Sequence, residues 1–75
     1  MTSVEVSLNT IDKVKAFVNE VCKFEADFDL VSGRYVIDAK SIMGIFSLDL
    51  SKPITLNIHA DDSAAIVEAI KPFIV

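Results

Sequence analysis

The chain has 75 residues, 52% of them hydrophobic, with a formal net charge of −4 and a single cysteine. That length makes one domain near the lower limit of independent folding, burying only about 60% of the surface its unfolded chain exposes, while the apolar content argues against disorder. The acidic balance disfavours nonspecific nucleic-acid binding, which needs clustered cations to neutralise phosphates, and points towards protein partners.

The apolar runs fall far short of the roughly 18 residues of a membrane-spanning helix, and charges interrupt every segment. Met1-Thr2-Ser3 leads straight into alternating apolar positions, without the basic and apolar regions of a signal peptide. Cys22 has no second cysteine to pair with, so the reducing cytoplasm is the expected setting. With two glycines, two prolines and no repeat or linker, residues 1–75 read as a single domain. No cofactor motif or metal-ligand spacing is apparent.

Val4, Val6 and Leu8 alternate with Ser3, Glu5 and Ser7, the period of a half-buried strand. Asn9 or Thr10 then caps a helix in which Ile11, Val14, Phe17, Val18 and Val21 recur at helical spacing, with Asp12 in the first turn. Cys22, late in this helix, reads as a partly buried packing residue with no histidine beside it to activate the thiol. Phe24, Ala26, Phe28 and Leu30 alternate with Glu25, Asp27 and Asp29, which predicts a second strand with an acidic outer face. Ser32-Gly33 is expected to turn the chain into a hairpin partner over Arg34 to Asp38.

Ser41 to Ser47 predicts a short helix, and Lys52-Pro53 introduces a fourth strand in which Ile54, Leu56 and Ile58 alternate with Thr55, Asn57 and His59. Asp61 or Asp62 is expected to cap a last helix with Ile66, Ala69, Ile70 and Phe73 facing inwards, its final turn kinked by Pro72. The order βαββαβα, with one-sided strands and amphipathic helices, predicts an α+β fold. Its form is an open-faced two-layer sandwich, with three helices on one face of a four-stranded antiparallel sheet.

The short helix carries the candidate site. Ser41 is a good N-cap, because its oxygen can accept from an N–H that the first helical turn leaves unpaired. Behind it Ile42, Met43, Ile45 and Phe46 surround much of the helix, more than one core-facing side can absorb. The core is expected to take Ile45, Leu48 and Leu50, leaving Ile42, Met43 and Phe46 as an exposed patch suited to docking a partner.

The run Lys40-Ser41-Ile42-Met43-Gly44-Ile45-Phe46-Ser47-Leu48-Asp49-Leu50 resembles the regulatory-serine region of the HPr family. These are small phosphocarriers of the bacterial phosphoenolpyruvate:sugar phosphotransferase system. The resemblance extends from Val4 to about Phe73 and implies the HPr-like strand order 1-4-2-3. It places Ser41 at the position of the serine phosphorylated by an ATP-dependent HPr kinase. It also puts Ile42, Met43 and Phe46 on the docking surface for enzyme I, the kinase and transcriptional regulators. Two departures stand out. The family's His-x-Arg-Pro loop has no counterpart between Leu8 and Lys13, and Asp49 stands where many members carry glycine.

A phosphate on Ser41 would bring about −1.5 to −2 charges to a helix N-terminus, where free amides and the dipole favour it. The one histidine, His59, sits near the end of the fourth strand, away from the start of the first helix if the first and fourth strands are antiparallel. No paired nucleophile and base and no glycine-rich phosphate loop point to an enzyme. The expected function is an HPr-like regulatory binding protein controlled through Ser41. The alternatives are a constitutive interaction module in which Ser41 is only a cap, and an unconventional phosphoryl carrier in sugar transport.

Overall fold

The computed structural model describes residues 1–75. The elements are β1 (Thr2–Val6), α1 (Ile11–Val21), β2 (Asp27–Ser32), β3 (Tyr35–Asp38), α2 (Ile42–Phe46), β4 (Ile54–His59) and α3 (Ala64–Ile70), with a closing 3-10 turn over Lys71–Phe73. The strands form one antiparallel sheet in the order β1-β4-β2-β3. This is the two-layer arrangement expected from the alternating strands, with the helices on one face.

Register fixes which residues form the core. Val4 faces Leu56, Leu56 faces Leu30, and Leu30 faces Ile37, so one row of apolar side chains crosses all four strands. Ile54, Leu56 and Ile58 of β4 are buried and meet Val14, Phe17 and Val21 of α1 and Ile66 and Ile70 of α3 in one cluster. Phe17 and Phe73 pack edge to face, with ring centroids 5.6 Å apart and planes at 87°. The opposite sheet face carries Ser3, Glu5, Asn57, Asp27, Asp29 and His59, the polar half of the alternation.

Several boundaries differ from the sequence expectation. Ile11 is 61% exposed, because the buried stripe of α1 begins a turn later at Val14. Phe24 and Ala26 precede β2: the N–H groups of Lys23 and Phe24 fold back onto the carbonyls of Glu20 and Val21, prolonging the end of α1. Their side chains still pack against the core, so the alternation there records burial without sheet pairing. The β2–β3 turn is Gly33-Arg34, not Ser32-Gly33, since Ser32 pairs with Tyr35. Gly33 has φ +59° and Arg34 a negative φ, the sign pattern of a type II′ hairpin.

Neither Asp61 nor Asp62 occupies the cap of α3. Ser63 does, with its hydroxyl engaged by Thr2 at 2.7 Å, while Asp62 Oδ1 accepts from the Ala64 N–H at 3.1 Å. The last residues add a contact with no counterpart in the periodicity. Ser7 N–H donates to the Phe73 carbonyl at 2.8 Å, Val75 N–H donates to the Glu5 carbonyl at 3.0 Å, and Val6 bridges Ile74. The C-terminal residues thereby cover the free edge of β1.

Phe17→Ala should destabilise the protein by about 3–5 kcal/mol, since it removes a fully buried ring and its edge-to-face partner. Against the few kcal/mol that hold a domain of this size, urea unfolding should show most of the native population lost; a midpoint close to wild type would contradict this core assignment.

Candidate functional site

The chain leaves β3 through a tight turn built on Asp38. Its carbonyl accepts from Ser41 N–H at 3.0 Å and its carboxylate Oδ1 accepts from Lys40 N–H at 2.9 Å. Ser41 is therefore held in extended backbone (φ −95°, ψ 101°) at the N-cap of α2, where its Oγ accepts from Gly44 N–H at 3.3 Å and its carbonyl accepts from Ile45 N–H at 3.1 Å. The hydroxyl is exposed. It satisfies one orphan donor and remains open to solvent.

Gly44 explains how so apolar a helix sits so close to β3. A Cβ there would lie 3.3 Å from Ser41 Oγ and 3.4 Å from Ile37 Cδ1, tighter than ordinary contact. The residue that looks like a weak helix former is thus the point where α2 presses on β3 and on its own cap. At the other end Ser47 Oγ donates to the Gly44 carbonyl at 2.5 Å, and the Ser47 and Leu48 N–H groups bond to Gly44 and Ile45, closing the last turn.

Ile45 and Leu48 are buried and anchor the helix, while Leu50 is half-buried. Met43 is 77% exposed and Phe46 41% exposed, as the surplus of apolar side chains implied. Ile42 is different: it is half-buried and packs against the core. The apolar surface offered to solvent is consequently centred on Met43 and Phe46, with Ile42 at its inner margin.

Lys40 is a participant that the sequence did not reveal. Its Nζ donates to the Phe24 carbonyl at 2.7 Å and lies 5.5 Å over the Phe28 ring, a cation–π contact. This ties the start of α2 to the segment leaving the C-terminal end of α1 and commits the cation that precedes Ser41. Nothing in the residue pattern pairs positions 24 and 40, because the link is to a backbone carbonyl. Just past α2, Asp49 Oδ1 accepts from the Ser51 hydroxyl at 2.6 Å and from its N–H at 3.1 Å. These bonds, with Lys52 nearby, hold the Asp49 carboxyl below the usual carboxylate range.

The other sequence candidates lie elsewhere. Thr10 caps α1, its Oγ1 accepting from Lys13 N–H at 3.1 Å, and the link from Ser7 to Thr10 contains no imidazole. His59 lies on the outer sheet face with Nε2 at 2.7 Å from Asp29 Oδ2. Val6 pairs with Ile54 while Thr2 pairs with Ile58, so His59 is at the opposite end of β1 from the start of α1. Cys22 is exposed at the C-cap of α1, a correction to its expected packing role: the stripe turns inwards at Val21 and leaves the next position outside. No group of three or more His, Cys, Asp and Glu residues is arranged to hold a metal ion.

A family model described as the PTS HPr component phosphorylation site matches residues 12–75. The chain belongs to the HPr family. HPr proteins are phosphocarriers of the phosphotransferase system, not enzymes, and work through protein partners such as enzyme I. The match begins at Asp12, past the Ser7–Thr10 link, and includes all of α2.

Solved HPr structures agree. The chain is similar to a phosphocarrier protein HPr from Bacillus anthracis str. Ames, with 30% identity and a TM-score of 0.73 over 99% of this chain and 94% of that one. It is also similar to HPr-C-His from Thermoanaerobacter tengcongensis, with 25% identity and a TM-score of 0.80 over 96% and 89%. A histidine-containing phosphocarrier protein of Mycoplasma shares the fold at 18% identity, with a TM-score of 0.73 over 95% and 86%. A search of curated protein sequences finds no match. No helix of this HPr-family chain is long and apolar enough to cross a membrane.

Ser41→Ala should lower stability by about 1 kcal/mol through loss of the cap, whereas Ser41→Asp should retain it, since Asp caps as well as Ser. Chemical denaturation of the two variants measures the difference. For Asp49 the folded pKa lies below the unfolded one, so its stabilisation is present above the unfolded pKa and is lost as pH falls through the folded pKa. Ser51→Ala should move the Asp49 titration, followed by carboxyl NMR, up towards the ordinary range.

Proposed function

We propose that this HPr-family chain is a regulatory binding protein whose choice of partner is set by phosphorylation of Ser41, and not a histidine phosphocarrier. The observation that carries this reading is the exposed Ser41 hydroxyl beside the open Met43 and Phe46 side chains, while the start of α1 offers no imidazole. A phosphohistidine carrier needs an accessible imidazole where helix-terminal amides can stabilise the phosphoryl group. Asp12 in the first turn of α1 would repel that group. His59 sits among carboxylates, opposite Asp27 and bonded to Asp29, which is an unfavourable setting for accepting phosphate.

At Ser41 the added group remains at the helix start, so α2 persists while the surface next to Met43 becomes anionic. Lys40 is held by Phe24 and Phe28, and the Asp38 carboxylate accepts from the Lys40 N–H just before Ser41, so no cation at that turn is reserved for the phosphate. It is left for a partner's arginine. An HPr kinase would install it, and enzyme I or a transcriptional regulator would read the surface, all in the cytoplasm. Ile42, at the margin of the patch, supports Met43 and Phe46 from the core side.

A second reading follows from the Ser41–Gly44 bond itself: the hydroxyl is only a cap, and the Met43 and Phe46 surface docks a partner constitutively. Two reactions separate these readings. One incubates the protein with ATP and an HPr kinase, the other with phosphoenolpyruvate and enzyme I, and each is mapped by mass spectrometry. Phosphate on Ser41 from ATP alone, absent in Ser41→Ala, is the expected result. Phosphate from phosphoenolpyruvate on any residue would overturn it, and transfer in neither reaction would favour the constitutive module. In either binding reading, Met43→Ala and Phe46→Ala should each weaken the captured partner by about 1–2 kcal/mol in calorimetry. The unfolding midpoint of Met43→Ala should stay near wild type, because that side chain is 77% exposed, whereas Phe46→Ala should also lower stability, since Phe46 is 41% exposed.

A further inference from the structure

The two edges of the sheet are treated differently. The outer side of β1 is covered by the C-terminal residues, through the Val6–Ile74 bridge and the Val75 N–H bond to the Glu5 carbonyl. The outer side of β3 has no strand beside it. Tyr35 and Val36, two of the large apolar side chains left in solvent, are adjacent on this uncovered strand.

The backbone groups available there follow from register. Ala39 N–H donates to the Phe28 carbonyl at 3.0 Å, so Ile37 and Tyr35, alternating with Ala39, also turn their backbone groups towards β2. Val36 and Asp38 turn theirs outwards. The Asp38 carbonyl already accepts from Ser41 N–H, which leaves Val36 N–H, Val36 C=O and Asp38 N–H open at the edge.

We propose that this edge binds a second copy of the chain, β3 against β3, antiparallel, with the two-fold axis at Val36. In that register Val36 exchanges a reciprocal pair of N–H···O bonds with the Val36 of the second copy, Tyr35 lies opposite its Ile37, and Arg34 lies opposite its Asp38. The charges are self-complementary. Arg34 makes no ion pair within its own chain, where the ion pairs are Lys23 with Glu20 and His59 with Asp29. The Asp38 carboxylate bonds only the Lys40 N–H.

Val31 and Val36 face each other across β2 and β3. Pairing would therefore extend them into a continuous row of four valines on the outer face, bracketed by two Arg34–Asp38 pairs. A slip of one residue would break both ion pairs and turn the second sheet over, so alternation and charge specify the same register. The strand is four residues long, which makes the association weak and concentration-dependent. It engages residues distinct from the Met43 and Phe46 surface.

Sedimentation equilibrium from micromolar to millimolar protein tests the proposal. The wild-type chain should shift from monomer to dimer as concentration rises. Arg34→Asp alone and Asp38→Arg alone should each weaken association about tenfold or more, because each replaces both ion pairs by like charges. An equimolar mixture should recover it as a heterodimer, since one chain then carries the two carboxylates and the other the two cations. Amide NMR spectra establish that each variant is folded. A wild-type chain that stays monomeric at millimolar concentration would overturn the proposal. So would association that survives either single reversal, or a mixture of folded variants that fails to recover it.

Discussion

Everything in this fold waits on β4. It lies between β1 and β2 and pairs with both, and its three inward side chains, Ile54, Leu56 and Ile58, are essentially without solvent contact. Until it arrives, β1 has no sheet neighbour and α1 has no complete surface to cover. The pairing of β1 with β4 joins residues about fifty positions apart, so a large loop is closed before either strand is rewarded. The last residues then close over β1 from its other side. The position of α2 is downstream of this constraint: Ile45 and Leu48 sit in the core that β4 completes, and only with them anchored does Ser41 acquire a fixed geometry.

Side chains whose period matches their element were readable. Val4, Leu30, Leu56 and Ile58 alternate as the sheet requires, and Val14, Phe17 and Val21 recur as a helix stripe, so topology and core followed from pattern. The departures share a physical cause, which is that periodicity reports burial and is silent on hydrogen bonding. Phe24 and Ala26 are half-buried and alternate, yet the Phe24 N–H bonds back to α1 and Ala26 lies in the link before β2, outside the sheet. Ser63 stands at the cap position with its hydroxyl turned to Thr2, far away in sequence, so Asp62 from one residue earlier accepts the Ala64 N–H. Lys40 bonding the Phe24 carbonyl and the C-terminal residues covering β1 are likewise backbone contacts between distant segments, which no local pattern encodes. Cys22 follows a buried valine and needed only one more helical step to face outwards.

At the candidate site the serine was legible and its surroundings only partly so. An N-cap serine before an overfull apolar helix is visible in the residues, and the surplus does surface at Met43 and Phe46. The half-burial of Ile42 is less visible. A helix of five residues spans little more than one turn, so the division between faces depends on how closely it lies on β3. The lack of a side chain at Gly44 permits that distance, since a Cβ there would crowd Ile37 and Ser41 Oγ. A side chain at Gly44 would lift α2 and loosen the cap together, which couples the shape of the surface to the position of the hydroxyl.

The same geometry explains how the fold closes with no histidine between β1 and α1. Between β1 and α1 the fold requires Leu8 for the core and Thr10 for the cap, and both are supplied. Nothing else in that link is buried, so carrier chemistry there is separable from stability. A modification at Ser41 would not be separable in this way, because the oxygen that caps α2 belongs to the same exposed hydroxyl. A cap contributes about 1 kcal/mol, small beside a core of sixteen buried apolar residues, so placing a phosphate on it perturbs a helix end without endangering the domain. A switch at this position can therefore act strongly on a partner while acting weakly on the fold.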